Sequence, residues 1–347
     1  MYIKKILWAI ALLGLVIMGV IAFYIYNAMF VPNTSFEEES VMIKIPSGSS
    51  YLEARTILEP LLDDIGTFDA LASRKKYTSN VRAGRYRIKK GMTNNDIINA
   101  IRSQNIPLTL AFNNQNSLGQ LAGRVGGQIE ADSISLIRVM QDSVVMQGYG
   151  FNKATALGMY LPNSYEFFWN TSDIDFVKRM YKEYQRFWNE SRLERAKHIG
   201  LNPDEVMTLA SIVYEESKVK DEQPRVAGVY LNRLKIGMPL QADPALKFWA
   251  YQLPKYQNTV IRRVLNEHKA IDSPYNTYMY AGLPPGLICM PDISAIDAVL
   301  NSEDHDFFYF AADPDRLGYH RFAKTLSEHN RNARAYHRYL DSQGIRR

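Results

Sequence analysis

The chain has 347 residues, room for about two domains, with 46% hydrophobic and 22% charged residues, a folded composition that excludes disordered and collagen-like chains. A single cysteine, Cys289, excludes an intramolecular disulfide and a cysteine-rich zinc site. The net charge of +5 is too small to imply nucleic acid, and no aromatic-interleaved basic motif accompanies it; it suits an anionic polymer or a membrane surface.

Ile6 to Ile25 is an unbroken apolar run, and about 20 such residues span a bilayer as a helix. Lys4 and Lys5 precede it, and Trp8, Tyr24 and Tyr26 lie near its ends, as interfacial aromatics do. The expected topology is a single-pass anchor over 6–27, with residues 1–5 in the cytoplasm and the rest outside the cytoplasmic membrane. A cleaved signal peptide is the alternative; the run is longer than its apolar region, and no small-x-small site follows.

Residues 28–40 read as a polar, acidic tether. Residues 41–105 read as a small α/β unit, suited to binding or to a spacer role: strand Val41–Ile45, turn Pro46–Ser50, helix Tyr51–Leu62, strand Arg82–Ile88, then a helix with Thr93 as N-cap and Asp96 at its third position. Residues 106–347 form the larger unit. A long helix is expected from Asp173 to Ile199, closed by Gly200. The next opens with Asn202 as N-cap, Pro203 in the first turn and Glu205 reaching back. A third runs from Pro224 to Ile236. Pro/Gly-rich loops come next, then a strand over Phe307–Ala312 and an amphipathic helix over Thr325–Leu340.

The helix after Pro203 carries the candidate chemistry. At 100° per residue, Val206, Leu209, Ala210 and Val213 form an apolar stripe. Glu216 falls roughly 70° from its centre, at the edge of the stripe, and Glu215 roughly 170° away. Apolar surroundings disfavour an ionised carboxylate, so the pKa of Glu216 should rise, as suits a general acid near neutral pH. The alternative is a helix-flank glutamate paired with Arg225 or Arg233. Other chemistries find little support. Ser73-Arg74-Lys75-Lys76 matches S-x-x-K without its companion motifs. The six histidines show no zinc-ligand spacing, and no P-loop or G-x-G-x-x-G is present. No metal or cofactor is expected. Asp243 opens an Asp-Pro helix start, where an N-cap is the plain reading. Ser273-Pro274-Tyr275-Asn276-Thr277-Tyr278 offers rings and hydrogen-bonding groups within six residues, the equipment of a sugar-binding loop, or an ordinary turn with packed tyrosines.

Five segments in order then carry a resemblance: Ala210–Ser217, Val226–Leu234, Leu240–Pro244, Ser273–Tyr278 with Gly282–Gly286, and Ser327–Asn330. This series resembles the endolytic murein transglycosylases, the YceG-like family. It is dense from about residue 200 to 335 and diffuse from 41 to 200. The resemblance implies an α+β architecture: a single N-terminal transmembrane helix, a small LysM-like α/β subdomain over 41–105 and a larger α+β catalytic domain over 106–347. It implies cleavage within peptidoglycan glycan strands, between N-acetylmuramic acid and N-acetylglucosamine, giving 1,6-anhydro ends, and partnership with glycan-polymerising synthases of the cell wall. The family's catalytic acid falls on Glu216. Gln241, Asp243, Ser273, Tyr275, Asn276, Thr277 and Tyr278 are the expected substrate-holding shell. A two-carboxylate muramidase using Asp243, or a non-catalytic peptidoglycan-binding scaffold, are the other readings. The chain departs from the family pattern at Tyr214-Glu215, near Leu157-Gly158, at Pro162-Asn163-Ser164-Tyr165 and at Phe112–Asn116.

Overall fold

The computed structural model describes residues 2–261 and 263–343. The chain divides into two units, one of residues 1–110, 128–131 and 165–172, the other of residues 111–127, 132–164 and 173–347.

The first unit begins with α1 (Tyr2–Phe30), the one candidate membrane span among the described residues, long and apolar enough to cross a bilayer. Its last turns are tied to the rest of that unit. Asn94 donates a side-chain hydrogen bond to the carbonyl of Ala28, which is buried. The stretch read as a tether is fixed too: Asn33 is buried, donates to Asn94 Oδ1 at 2.6 Å and exchanges bonds with the backbone of Asp64. Buried amide groups keep such partners because leaving them unmet costs about 1–3 kcal/mol each.

Strand β1 (Ser40–Ile45) pairs antiparallel with β2 (Gly84–Lys89), Ser40 opposite Lys89 and Ile45 opposite Gly84. Gly84 sits where a Cβ would meet the Asn105 side chain at 2.6 Å. Between the strands lie α2 (Tyr51–Leu58) and α3 (Ile65–Arg74); α4 (Asn94–Ser103) comes after them. Helix α2 opens on a Ser50/Glu53 capping box and tightens into a 3₁₀ turn at Glu59–Leu61, where Pro60 stops it short of the expected Leu62. Helix α3 is absent from the sequence-based expectation because Gly66 interrupts its pattern; Asp64 caps it by accepting from the Gly66 and Thr67 amides. Thr93 and Asp96 form the expected box on α4. Ile45, Leu58, Phe68, Ile88, Ile97 and Ile101 build the core.

β3 (Leu108–Phe112) pairs with β4 (Asn163–Phe167). Helices α5 (Leu118–Gly126), α6 (Ser133–Gln141) and α7 (Ser143–Gly148) intervene. The helix expected over 173–199 is two, α8 (Asp173–Phe187) and α9 (Glu190–His198), because the Asn189 side chain accepts from the Arg192 amide and starts a new helix.

Helix α10 (Pro203–Glu216) is central to the second unit. Every residue from Val206 to Val213 is buried, so its middle is enclosed on all sides rather than along one stripe. Around it pack α11 (Gln223–Lys235), α12 (Asp243–Ala250) and, beyond the short α13 (Asn266–Lys269), α14 (Ile293–Leu300). β5 (Tyr309–Ala312) pairs antiparallel with β6 (His320–Ala323), a hairpin of which only the first strand is legible in the sequence. α15 (Leu326–Ser342), capped by Thr325, ends the described chain.

Candidate active site

Helix α10 emerges from the core in its last turn, and Glu216 is its final residue. The capping box of Asn202 and Glu205 with Pro203 in the first turn sets where it starts. Thirteen residues later the carboxylate stands at the rim of the buried face, half-buried, while Glu215 is exposed and paired with Lys218 at 2.9 Å.

The arginine alternative fails on geometry. Arg225 pairs with Glu303 at 2.9 Å. Arg233 is buried and donates to the carbonyls of Phe308 at 2.6 Å and Leu240 at 2.7 Å. The partner of Glu216 is instead Tyr230, on α11 and only 1% exposed, whose hydroxyl donates to Oε1 at 2.8 Å. Oε2 has no hydrogen bond from the described residues.

Burial pushes the Glu216 carboxyl up to about 7. The Tyr230 bond opposes this by stabilising the anion; the Asp243 charge adds to it, and His320 and Lys247 oppose it. A carboxylic acid half protonated near pH 7, with an oxygen left open, has the character of a general acid.

Asp243 is the first residue of α12 but makes no capping bond; it accepts a short hydrogen bond from the Tyr278 hydroxyl. Burial, and then this carboxylate, push the Tyr278 phenol up. Gln241 is exposed and left-handed at φ 51°, and its amide donates to the Thr277 carbonyl at 2.9 Å. The loop around Gln241 is thereby pinned to the tyrosine loop.

The remaining shell expectations meet buried side chains. Ser273 Oγ accepts from the Tyr275 amide. Tyr275 is 6% exposed, with its ring stacked on Trp249 at 5.7 Å. Asn276 donates to the carbonyls of Lys269 and Ile271 and accepts from the Tyr278 amide. Thr277 Oγ1 accepts from the Ala242 amide at 2.9 Å. In this structure Ser273, Tyr275, Asn276 and Thr277 build the loop from within, Asp243 and Tyr278 lie close enough to Glu216 for their charges to act on one another, and Gln241 is exposed two residues before Asp243.

A second buried carboxylate carries no signal in the sequence pattern. Glu222, 5% exposed, accepts from His320 through both its backbone amide (2.7 Å) and Nδ1 (2.8 Å), and from Ser217 Oγ at 3.1 Å. It clamps Ser217, the residue after Glu216, to His320, the first residue of β6 and 98 positions beyond Glu222. Phe310, on β5, meets the rings of both His320 and Tyr230 edge-on, at 5.0 and 5.9 Å. Tyr230 lies inside the Val226–Leu234 segment but carries no helix-pattern signal of its own. Where the chain departs from the family pattern, Asn114 donates to the Met290 carbonyl, and Met290 donates to that of Gln115.

A model of the YceG-like family matches residues 43–335. The chain belongs to the YceG-like family. Among its relatives, the endolytic murein transglycosylase of Bacillus subtilis is 31% identical over 91% of this chain and 90% of its own length. That of Streptococcus pneumoniae strain D39 is 26% identical over 89% of this chain, which spans 60% of that longer relative. A crystal structure of a YceG-like protein from Listeria monocytogenes superposes with a TM-score of 0.55 at 26% identity, covering 85% of this chain and 99% of that one.

Proposed function

We propose that this YceG-like protein is a membrane-anchored endolytic murein transglycosylase with Glu216 as its acid. The observation that carries the reading is the carboxyl at the end of α10, raised to about 7, held through Oε1 by Tyr230 and open at Oε2. The relatives named as endolytic murein transglycosylases supply the substrate class.

Protonated Glu216 donates to the glycosidic oxygen between N-acetylmuramic acid and N-acetylglucosamine as that bond breaks. The carboxylate then takes the proton of the muramyl C6 hydroxyl while its oxygen closes on C1. The proton gained equals the proton given, no water is consumed, and the product carries a 1,6-anhydro end. One carboxylate serves both steps, where most glycoside hydrolases use two. Gln241, Asp243 and Tyr278 hold the sugar next to the acid. The β1-α2-α3-β2 unit is LysM-like and binds the same polymer. α1 anchors the chain in the cytoplasmic membrane with its amino end inside, the lysine pair marking the cytoplasmic side, and the enzyme ends strands made by neighbouring synthases.

The test is full-length protein in detergent incubated with purified peptidoglycan, beside Glu216→Gln and Glu215→Gln, with new ends read by mass spectrometry. The expected result is anhydro ends from wild type and Glu215→Gln and none from Glu216→Gln. Reducing ends would make the enzyme a hydrolase using Asp243; binding without new ends would make it a scaffold.

A further inference from the structure

The tyrosine loop has a third ring, Tyr280, outside the residues that the acid engages. It is 47% exposed, whereas Tyr275 is sealed under Trp249 and Tyr278 is committed to Asp243. The Tyr280 ring is nonetheless held: its hydroxyl donates to Asp272 Oδ1 at 2.7 Å, and its amide donates to the Asn276 carbonyl. With Asp272, Pro274, Leu283 and Pro285 it lines a cleft of about 420 Å³. Two prolines, Pro274 and Pro285, on one irregular segment stiffen the walls before any ligand arrives, which lowers the entropy cost of binding. The second oxygen of Asp272 carries no hydrogen bond from the described residues. A flat apolar wall beside one or two polar groups is the general design of a small-molecule site.

Both walls lie a few residues along the chain from groups tied to the acid or to its helix. Tyr278, two residues before Tyr280, bonds Asp243, whose charge reaches Glu216. On the other wall, Pro285 leads within three residues to Ile288, whose amide donates to Ser211 on α10.

We propose that this cleft is a glycan subsite: the Tyr280 ring stacks on the apolar face of a pyranose, and Asp272 accepts a hydrogen bond from a sugar hydroxyl or N-acetyl amide. The inference rests on the transglycosylase reading for its substrate class, and it adds a strand-holding position remote from the reacting bond. An interaction made equally in ground and transition states changes KM and leaves kcat alone.

Two measurements test it on the full chain. In the first, peptide-free glycan strands are cut by wild type, Tyr280→Ala, Tyr280→Trp and Asp272→Asn. Tyr280→Ala is expected to raise KM about tenfold with kcat within about twofold, a loss equivalent to about 1.4 kcal/mol. Tyr280→Trp keeps a stacking face and should restore most of that loss; Asp272→Asn should raise KM about threefold. An unchanged KM for Tyr280→Ala beside an active wild type overturns the subsite and leaves the enzyme reading intact. The second measurement is calorimetric titration with an N-acetylglucosamine tetrasaccharide, which needs no turnover. Weaker binding by Tyr280→Ala supports the subsite even where no strand is cut, an outcome that would sink the transglycosylase reading alone. Equal binding, or binding that appears only when stem peptides are present, overturns the subsite.

Discussion

Glu216 is kept reluctant to ionise by burial and kept in place by one phenol. The proposed role as general acid requires the protonated form, so activity is expected to fall as pH rises through about 7. Tyr230→Phe removes the bond that favours the anion, so the carboxyl pKa should climb and this alkaline limb should move up by roughly one unit. The same variant lets the carboxylate turn, so kcat should drop by about tenfold or more; pH–rate profiles of both proteins check the pair of effects. The sign for stability comes from the raised value. The folded state binds the Glu216 proton more tightly than the unfolded chain, so its stabilising share is complete below about 4.5 and lost as pH rises through about 7. Glu216→Gln keeps a neutral side chain at every pH. Its melting temperature should therefore exceed that of wild type at pH 8.5 and converge with it near pH 4, as calorimetry would read.

At the scale of elements, the site depends on two loops and a hairpin brought against α10. Gly286 marks the tightest approach: a Cβ there would lie 2.2 Å from the Ala154 carbonyl oxygen. Gly286→Ala should push the 282–288 loop outward at a cost of about 3 kcal/mol, visible as an earlier midpoint in urea unfolding. Glu222 is the other joint. Both its oxygens are engaged, so Glu222→Leu strands the His320 amide and imidazole and the Ser217 hydroxyl. Each buried donor left without its acceptor typically costs about 1–3 kcal/mol. Hydrogen exchange should show the amides of β5 and β6 losing protection before those of α10; uniform loss across both would refute a local joint.

At the scale of the whole molecule, α1 and the rest of the first unit share more than a peptide link. Asn33, just past the end of α1, satisfies groups of Asp64 and Asn94, and Asn94 reaches back to Ala28. Removing residues 1–26 is expected to release the protein from membranes with the first unit intact. Removing residues 1–34 strips Asn33 as well and leaves buried amide groups without partners, at about 2–4 kcal/mol. Limited proteolysis of the two truncations should cut the second within residues 35–103 far faster; equal rates would mean that the 28–40 stretch is a tether after all.

Local signals wrote much of this chain into its sequence. The apolar run before Phe30 needs nothing beyond its own composition to form a helix that can cross a bilayer. Thr93 with Asp96, and Asn202 with Glu205, announce their helices because caps act within four residues. The position of Glu216 at the rim of a buried face is legible from helical spacing, since a 3.6-residue period fixes which residues share a side. The same period misjudges the middle of α10: burial on every side is set by α11, α12 and α14, which no single helix pattern contains. The break at Asn189 and the helix begun by Asp64 stay hidden because a polar cap looks like any surface residue until its amide partner is known. Tertiary structure alone chose the partner of Glu216 and the partners of Glu222. Tyr230 over Arg233, and Glu222 with His320 across 98 residues, are contacts between distant segments, and spacing along the chain carries no record of them. It also sorted the tyrosine loop. Ser273, Tyr275, Asn276 and Thr277 turn inward, Tyr278 meets Asp243 and Tyr280 faces outward, because which ring is buried depends on the Trp249 and Leu283 segments packed beside it.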